Sequence, residues 1–492
     1  MSHAIGLGQR VGLLAGLAFG LCIGMYGFAW LLVNWGPLYA FVLLAIPALG
    51  LLVMQYPAYG ALFLAGVVPA VSGVRRGLPV PGLRLSEVLI AFCGSAILLA
   101  VANRRNRTPW KMFDWVALLY VLATIGLGSW DLIDRGDGFS ADALGDLLGP
   151  LQFFILYRAV ASVLTTSDLR IKAIRWILYS SIPVSLLAIL QQAGVGSFNT
   201  FLTGLTGSGA GSGETATGLV RATGPFPIWH SLAGYLFLVV MLGLGSYLEG
   251  SGRILGTRRL LYVLVPAVGA LITTATLAPI FGALAGAALL GRAYGRMGRS
   301  ILGVALAIFV VGFLFTPALS SRFEQQYGHT VTIQAAKGSD PIIPRTLAAR
   351  YVIWTEQYVP AMSGHWATGW GPGVPPKVDW EWTESLYLTM LVRGGVPLLL
   401  IYLWLAGSTI TRSRRLMRAP DFERSLLANV VFTGTIVLLF MQIITPYFVL
   451  AGPPHIYWAL LGLLFGGVVR SRSQEPVREA PPERALALGA RA

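Results

Sequence analysis

From Ser320 to Glu384 the chain is polar and aromatic-rich, whereas apolar segments dominate before and after it. That contrast is the strongest constraint on the fold. A bilayer tolerates irregular backbone only where protein or water satisfies its polar groups. The stretch therefore reads as a folded loop outside the membrane, flanked by membrane spans. It carries Arg322, Arg345, Arg350, His365, Asp379, Glu381, Glu384 and five tryptophans. Such a mixture of charge and aromatic surface suits carbohydrate handled at a membrane.

Composition agrees with the membrane reading. Apolar residues make up 55% of the chain and charged residues 12%, where a soluble domain carries about 25% charged residues. Mean hydropathy is +0.69. Segments of roughly 17–25 residues, long enough to span, recur near 11–33, 37–54, 57–73, 85–102, 113–130, 148–165, 174–193, 225–246, 258–274, 277–292, 300–317, 385–407, 427–446 and 453–470. The pair meeting at Thr273–Thr276 is either two spans or one long kinked helix, since Pro266 and Pro279 interrupt the hydrogen-bond ladder. The expected fold is all-α and polytopic, with about 12–14 transmembrane helices and one large extracytoplasmic loop. It divides into N-terminal spans (1–220), central spans (221–317), the loop (318–384), C-terminal spans (385–470) and a tail (471–492). The tail is rich in Pro, Glu, Arg and Ala without apolar periodicity, and is expected to be disordered.

The net charge of +15 does not point to nucleic acid, because the basic residues sit in short clusters between apolar runs. Arg104, Arg105, Arg107 and Lys111 fall on one side, with Arg170, Lys172 and Arg175. Arg253, Arg258, Arg259, Arg292, Arg296 and Arg299 join them, as do Arg412, Arg414, Arg415, Arg418, Arg470 and Arg472. The positive-inside rule makes that side cytoplasmic. Both termini then face the cytoplasm, and the loop faces outward. Arg75, Arg76 and Arg84 are an exception on the outer side. Cys22 and Cys93 lie inside apolar segments and read as small core residues. The first apolar stretch continues past Leu31 without a cleavage-like exit and is expected to remain as a span.

Two outward segments carry chemistry. The Gly/Ser/Thr-rich run from Gly194 to Gly218 reads as a flap, and leads to Arg221 at the mouth of the next span and His230 two turns inside it. A lone arginine there is also a snorkelling anchor, and a lone histidine an interfacial core residue. Its planar fork equally suits Arg221 to phosphate. In the large loop, Arg350 and Trp354 share a helix face. A glycine turn at Gly369–Gly373 follows, and then Asp379, Glu381 and Glu384. Trp366, Trp370, Trp380 and Trp382 are stacking surfaces for sugars or interfacial belt residues.

The order of these segments resembles a known family. Arg221-Ala-Thr-Gly-Pro-Phe226 opens one span, and Arg350-Tyr-Val-Ile-Trp354 lies in the outer loop. Gly369-Trp-Gly-Pro-Gly373 and Glu384-Ser-Leu-Tyr-Leu388 follow, leading to Gly394-Gly395. This arrangement, from Arg221 to about Leu405, is similar to the O-antigen ligases and polysaccharide polymerases of bacterial inner membranes. The resemblance implies a C-type glycosyltransferase architecture and transfer of a glycan from polyprenyl pyrophosphate to an acceptor sugar hydroxyl. It implies an inverting reaction with neither metal nor organic cofactor. Partners would be the lipid-linked donor, a glycan or lipid-linked acceptor, membrane lipids and other polysaccharide-assembly proteins. By position, Arg221 and Arg350 match arginines proposed to grip the pyrophosphate; Arg345 and Arg322 are looser matches.

The chain departs from that family at two points. Glu384 stands where the ligases have a histidine, and Thr276-Leu277 replaces a Ser-Arg pair. Both shift the expectation from lipid A-core ligation toward polymerisation. On physical grounds a carboxylate at the loop–membrane junction can accept the proton of an attacking hydroxyl, which makes Glu384 the candidate base; a helix cap is its bland alternative. His365, Asp379, Glu381 and His230 are secondary candidates. The competing function is a transporter or flippase for a lipid-linked or anionic solute, motivated by the many spans and by Arg158 inside one of them.

Overall fold

A computed structural model describes residues 37–77, 83–103, 109–136, 138–195, 197–207, 221–249, 251–292, 345–375, 378–379 and 383–467, with isolated positions at 33 and between 295 and 343. Cys22, Arg322, Trp380, Glu381, Trp382, the 471–492 tail and the side chain of Arg345 lie outside the described residues.

The described chain is helical apart from an antiparallel pairing of Val331–Thr332 with Ile342–Ile343. In order, the helices are α1 (Pro37–Gln55), α2 (Pro57–Gly66), α3 (Leu85–Ala102), α4 (Met112–Asp134), α5 (Ala141–Val163), α6 (Ser167–Gln192) and α7 (Phe198–Thr206). After these come α8 (Trp229–Leu248), α9 (Thr257–Thr273), α10 (Leu277–Arg292), α11 (Arg345–Val352), α12 (Leu386–Leu416), α13 (Phe422–Met441) and α14 (Pro453–Phe465). Among the described residues seven helices, α3 to α6, α8, α12 and α13, are long and apolar enough to cross a membrane. Two shorter apolar helices, α2 and α10, accompany them. The chain is a helical, multi-pass membrane protein.

At Thr273–Thr276 two helices meet at a tight turn rather than running on as one kinked helix. Ala275 takes a left-handed φ of 46° in that turn.

The core is built around α8 and α14. Every residue of α14 is buried, and 89% of the α8 window is buried. A helix that is apolar on all sides belongs in the middle of a bundle. Around them, α14 packs on α5, α9 on α6 and α8, α12 on α4 and α13, and α10 on α8 and α13.

The two ends of this bundle differ in charge. At one end Arg170 pairs with Glu423, Arg175 donates to the carbonyls of Ile254 and Arg253, and Lys111 donates to Phe465 O. Arg424 closes the same end on Gly466 O. The Arg170–Glu423 pair joins α6 to α13 at 3.3 Å, with both side chains 2% exposed. Removing one partner of such a pair leaves a buried charge uncompensated, at a cost of about 3–5 kcal/mol. We expect Glu423→Ala to lower the thermal unfolding midpoint of the purified protein sharply. An Arg170→Met, Glu423→Leu double substitution should recover most of the loss. An unchanged midpoint for the single variant would contradict this account.

Candidate functional site

At the opposite end of the bundle, the segments that sequence analysis singled out converge. The connection from α9 to α10 supplies the first wall. Arg221 is 5% exposed and donates from Nε to Thr274 O, and from Nη2 to Ala275 O and Thr276 Oγ1, each at 3.0 Å. Its guanidinium also lies over the Trp229 ring, 4.3 Å from the centroid. The carbonyls it binds belong to the C-cap of α9 and to the turn that follows, where no helical N–H reaches them. Behind it, Gln191 Oε1 accepts from the backbone N–H groups of Thr223 and Gly224 and holds the approach to α8. Thr276, where the family pattern has a different pair, thus contributes a hydroxyl to the Arg221 cradle.

The second wall comes from α11 and the start of α12. Helix α11 continues through a π-helical stretch, Ile353–Tyr358. Tyr358 and Met362 are buried against Val392 of α12. This anchor brings Arg350 and Trp354 to one short segment: Trp354 Nε1 donates to Thr383 O at 2.7 Å, and Arg350 binds Glu384. Both guanidinium contacts, Nη2 at 2.8 Å and Nε at 3.3 Å, reach Oε2 of Glu384. Oε1 accepts no hydrogen bond from the described residues. The carboxylate does not cap α12, whose N-cap position belongs to Ser385. Glu384 has φ 55°, and it and Ala275 are the non-glycine residues with left-handed backbone among the described residues. Backbone strain of this kind persists only where surrounding structure enforces it, and it clusters at functional sites.

Tyr447 links the two walls. It is fully buried in the turn between α13 and α14, with its ring 6.5 Å from that of His230. Burial pushes its phenol above the ordinary value; the neighbouring Thr445 hydroxyl, Arg350 and Arg221 pull it down, and the Glu384 charge pushes it up. One phenol thus feels all three charged groups, Arg221, Arg350 and Glu384. His230 belongs to this cluster through Trp229 and Tyr447. Tyr447 was missed from the sequence because a tyrosine in a short apolar turn carries no motif.

Other sequence candidates go elsewhere. His365 stacks on Trp370 at 3.7 Å, and Trp370 accepts at its carbonyl from Arg135 at the end of α4. One face of Trp370 is therefore already covered. Trp366 is 43% exposed. Asp379 is exposed and donates its backbone N–H to Gln357. Arg158 is ion-paired with Asp114 at 3.0 Å and lies over Trp110, toward the basic end of the bundle.

The glycine turn and the Gly394-Gly395 pair prove to be two halves of one lock. Helix α12 breaks at Gly394 and Gly395, the latter at φ 65°. The turn fills the break: Trp370 N donates to Val392 O at 2.5 Å, and Val396 N to Trp366 O at 2.8 Å. Backbone groups freed by the break find partners there, as a membrane interior requires.

A cavity of about 520 Å³ opens on the far side of the same wall. Thr383, Pro446 and Phe448 line it, whereas their neighbours Glu384 and Tyr447 belong to the charged cluster. No protein-family model matches this chain, and neither does any curated protein.

Proposed function

We propose that the protein is a membrane glycosyltransferase of the O-antigen ligase and polymerase type. It transfers a glycan from polyprenyl pyrophosphate to an acceptor sugar hydroxyl on the outer face of the bacterial inner membrane. The observation that carries this reading is the Arg350–Glu384 pair, in which a carboxylate on left-handed backbone binds the guanidinium through Oε2 and leaves Oε1 without a hydrogen bond from the described residues. The basic clusters gather at the other end of the bundle, which supports an outward-facing site under the positive-inside rule.

The chemistry follows from the groups. Loss of a polyprenyl pyrophosphate builds negative charge on the leaving oxygen, and fixed guanidinium groups stabilise that charge. Arg350, 16% exposed, is the arginine placed to reach the phosphate. Arg221 is committed to the Thr274–Thr276 turn and contributes a fixed positive charge. The attacking hydroxyl gives its proton to Oε1 of Glu384 as the new glycosidic bond forms and the bond to pyrophosphate breaks. Displacement from one side inverts the anomeric centre. When a phosphate draws Arg350 away, Glu384 loses its ion pair and becomes a better proton acceptor, so donor arrival primes the base.

Glu384 in place of the family histidine favours polymerase over ligase. The transporter reading draws on the many spans and on Arg158, and the pairing of Arg158 with Asp114 gives that residue a structural role. A clean deletion should accumulate short lipid-linked repeat units, seen by mass profiling of polyprenyl-linked intermediates, while the normal acceptor still carries an unpolymerised glycan. Long chains stranded on the carrier would indicate a ligase instead. Normal glycan length would remove the proposal.

A further inference from the structure

The 520 Å³ cavity holds a set of unpartnered polar groups that the transfer chemistry does not use. Its size lies within the range of about 300–1,000 Å³ typical of small-molecule sites. Arg84 lines it, and its guanidinium makes no hydrogen bond or ion pair with the described residues. His455, 2% exposed, lines it with both ring nitrogens unpartnered. Gln442 Nε2 and Gln152 Oε1, from other elements, are also buried without partners. Buried polar atoms are nearly always bonded, so several orphans around one cavity mark a place where a ligand supplies the missing bonds.

The inventory specifies the ligand. An imidazole, an amide N–H and an amide carbonyl offer hydrogen-bonding groups at fixed points, which is what ring hydroxyls need. Tyr120, Phe153 and Trp458 add apolar walls. The formal charge is balanced: Arg76, Arg84 and Arg393 face Glu87, Asp142 and Asp146. Placement decides the outcome. Arg76 is bound to Asp142 and Glu87, at 2.6 and 3.2 Å, and Arg393 to Asp146 at 2.7 Å. Asp142 is 92% exposed and therefore screened by water. The Arg84 guanidinium alone of the three has no carboxylate at hydrogen-bond distance among the described residues, the nearby Glu87 accepting from the Arg84 backbone N–H at 2.9 Å and from Arg76. Arg76 keeps one buried donor, Nε, without a partner but already holds two carboxylates, so the one guanidinium without a carboxylate, that of Arg84, calls for one anionic group rather than a polyanion.

We infer that this cavity binds a sugar bearing a single carboxylate or phosphate, with Arg84 holding the anion and His455, Gln442 and Gln152 the hydroxyls. The inference rests on the proposed glycan transfer only for expecting a sugar there, and it makes the site next door selective for acidic glycans. It also accounts for Arg76 and Arg84, two of the three arginines that break the charge bias of the outer side. Arg76 braces the rim, and Arg84 faces the ligand.

The test is binding by the intact, membrane-reconstituted protein, read from tryptophan fluorescence (Trp458 lines the cavity) and by calorimetry. Probes are methyl glucoside, methyl glucuronide, glucose 6-phosphate and inorganic phosphate. At least one of the two acidic sugars should bind roughly ten- to a hundred-fold tighter than methyl glucoside, the worth of a hydrogen bond to a charged group. Which one wins distinguishes carboxylate from phosphate. Arg84→Gln should erase the preference and Arg84→Lys retain most of it, with Lys172→Gln, at the basic end, as a control that changes nothing. Equal affinity for neutral and acidic sugars, or an unaltered preference in Arg84→Gln, overturns the inference. So does inorganic phosphate binding as tightly as the better acidic sugar. Charge-selective binding by a protein that transfers nothing would sink the transferase reading alone; transfer without charge preference would sink this one alone.

Discussion

Replacing Glu384 by glutamine is expected to lower glycan transfer by about 10²–10⁴-fold, the usual contribution of a positioned general base. Glutamine keeps the size of the side chain and one oxygen for Arg350, so α11 and the start of α12 stay where they are. It removes the negative charge that would take the proton of the attacking hydroxyl. The measurement is turnover of a lipid-linked donor by purified protein, with unfolding midpoint and membrane insertion checked in parallel. An unchanged midpoint together with lost turnover supports a chemical role. Turnover within about threefold of the parent would leave Glu384 as a mere partner of Arg350, since a catalytic base cannot be neutralised at so small a cost.

The second large effect is conformational. A β-carbon at Gly395 would lie 2.5 Å from Trp366 O and 2.7 Å from Ala367 C, at a φ of 65°. At Gly369 it would lie 2.5 Å from Val392 O, at a φ of 78°. Both clashes are with backbone, which cannot swing aside as a side chain can. Strain from the left-handed conformation and from overlap each cost about 1–3 kcal/mol, so Gly395→Ala should destabilise by about 2–6 kcal/mol. Loss of the lock also frees Leu386–Arg393, the stretch that follows Glu384, and transfer should fall with stability. Gly407 lies in the same helix, where an added β-carbon would meet nothing within 4 Å, so Gly407→Ala is the control and should be neutral or mildly stabilising. Faster protease cleavage near 365–371 in Gly395→Ala, but not in Gly407→Ala, would locate the damage. Equal behaviour of the two variants would refute the lock.

Much of the site was legible because its parts have local signatures. The helical spacing of Arg350 and Trp354 put them on one face, and both reach residues 383–384. Glycines at 369, 371, 394 and 395 marked sharp backbone, yet nothing local said that one pair closes on the other. Tyr447, Gln442 and His455 were illegible, because a polar residue in an apolar turn has no pattern of its own. The one signal for the cavity was Arg75, Arg76 and Arg84 standing against the charge bias.

The amino-acid sequence by itself determined that this chain is helical and membrane-embedded, where its apolar segments lie and how its basic clusters alternate. These follow from hydropathy and from the need to satisfy every backbone group within lipid. It could not order the helices. The α4 and α8 windows have the same mean hydropathy, yet 44% of one and 89% of the other is buried. Lipid tails and helix surfaces are equally apolar, so hydropathy does not distinguish a central helix from a peripheral one. Only the tertiary structure decided that α8 is central, that Asp114 neutralises Arg158, and that Arg350 pairs with Glu384. Those outcomes depend on close packing and on charges finding partners far away in the chain, and neither is written in any single segment.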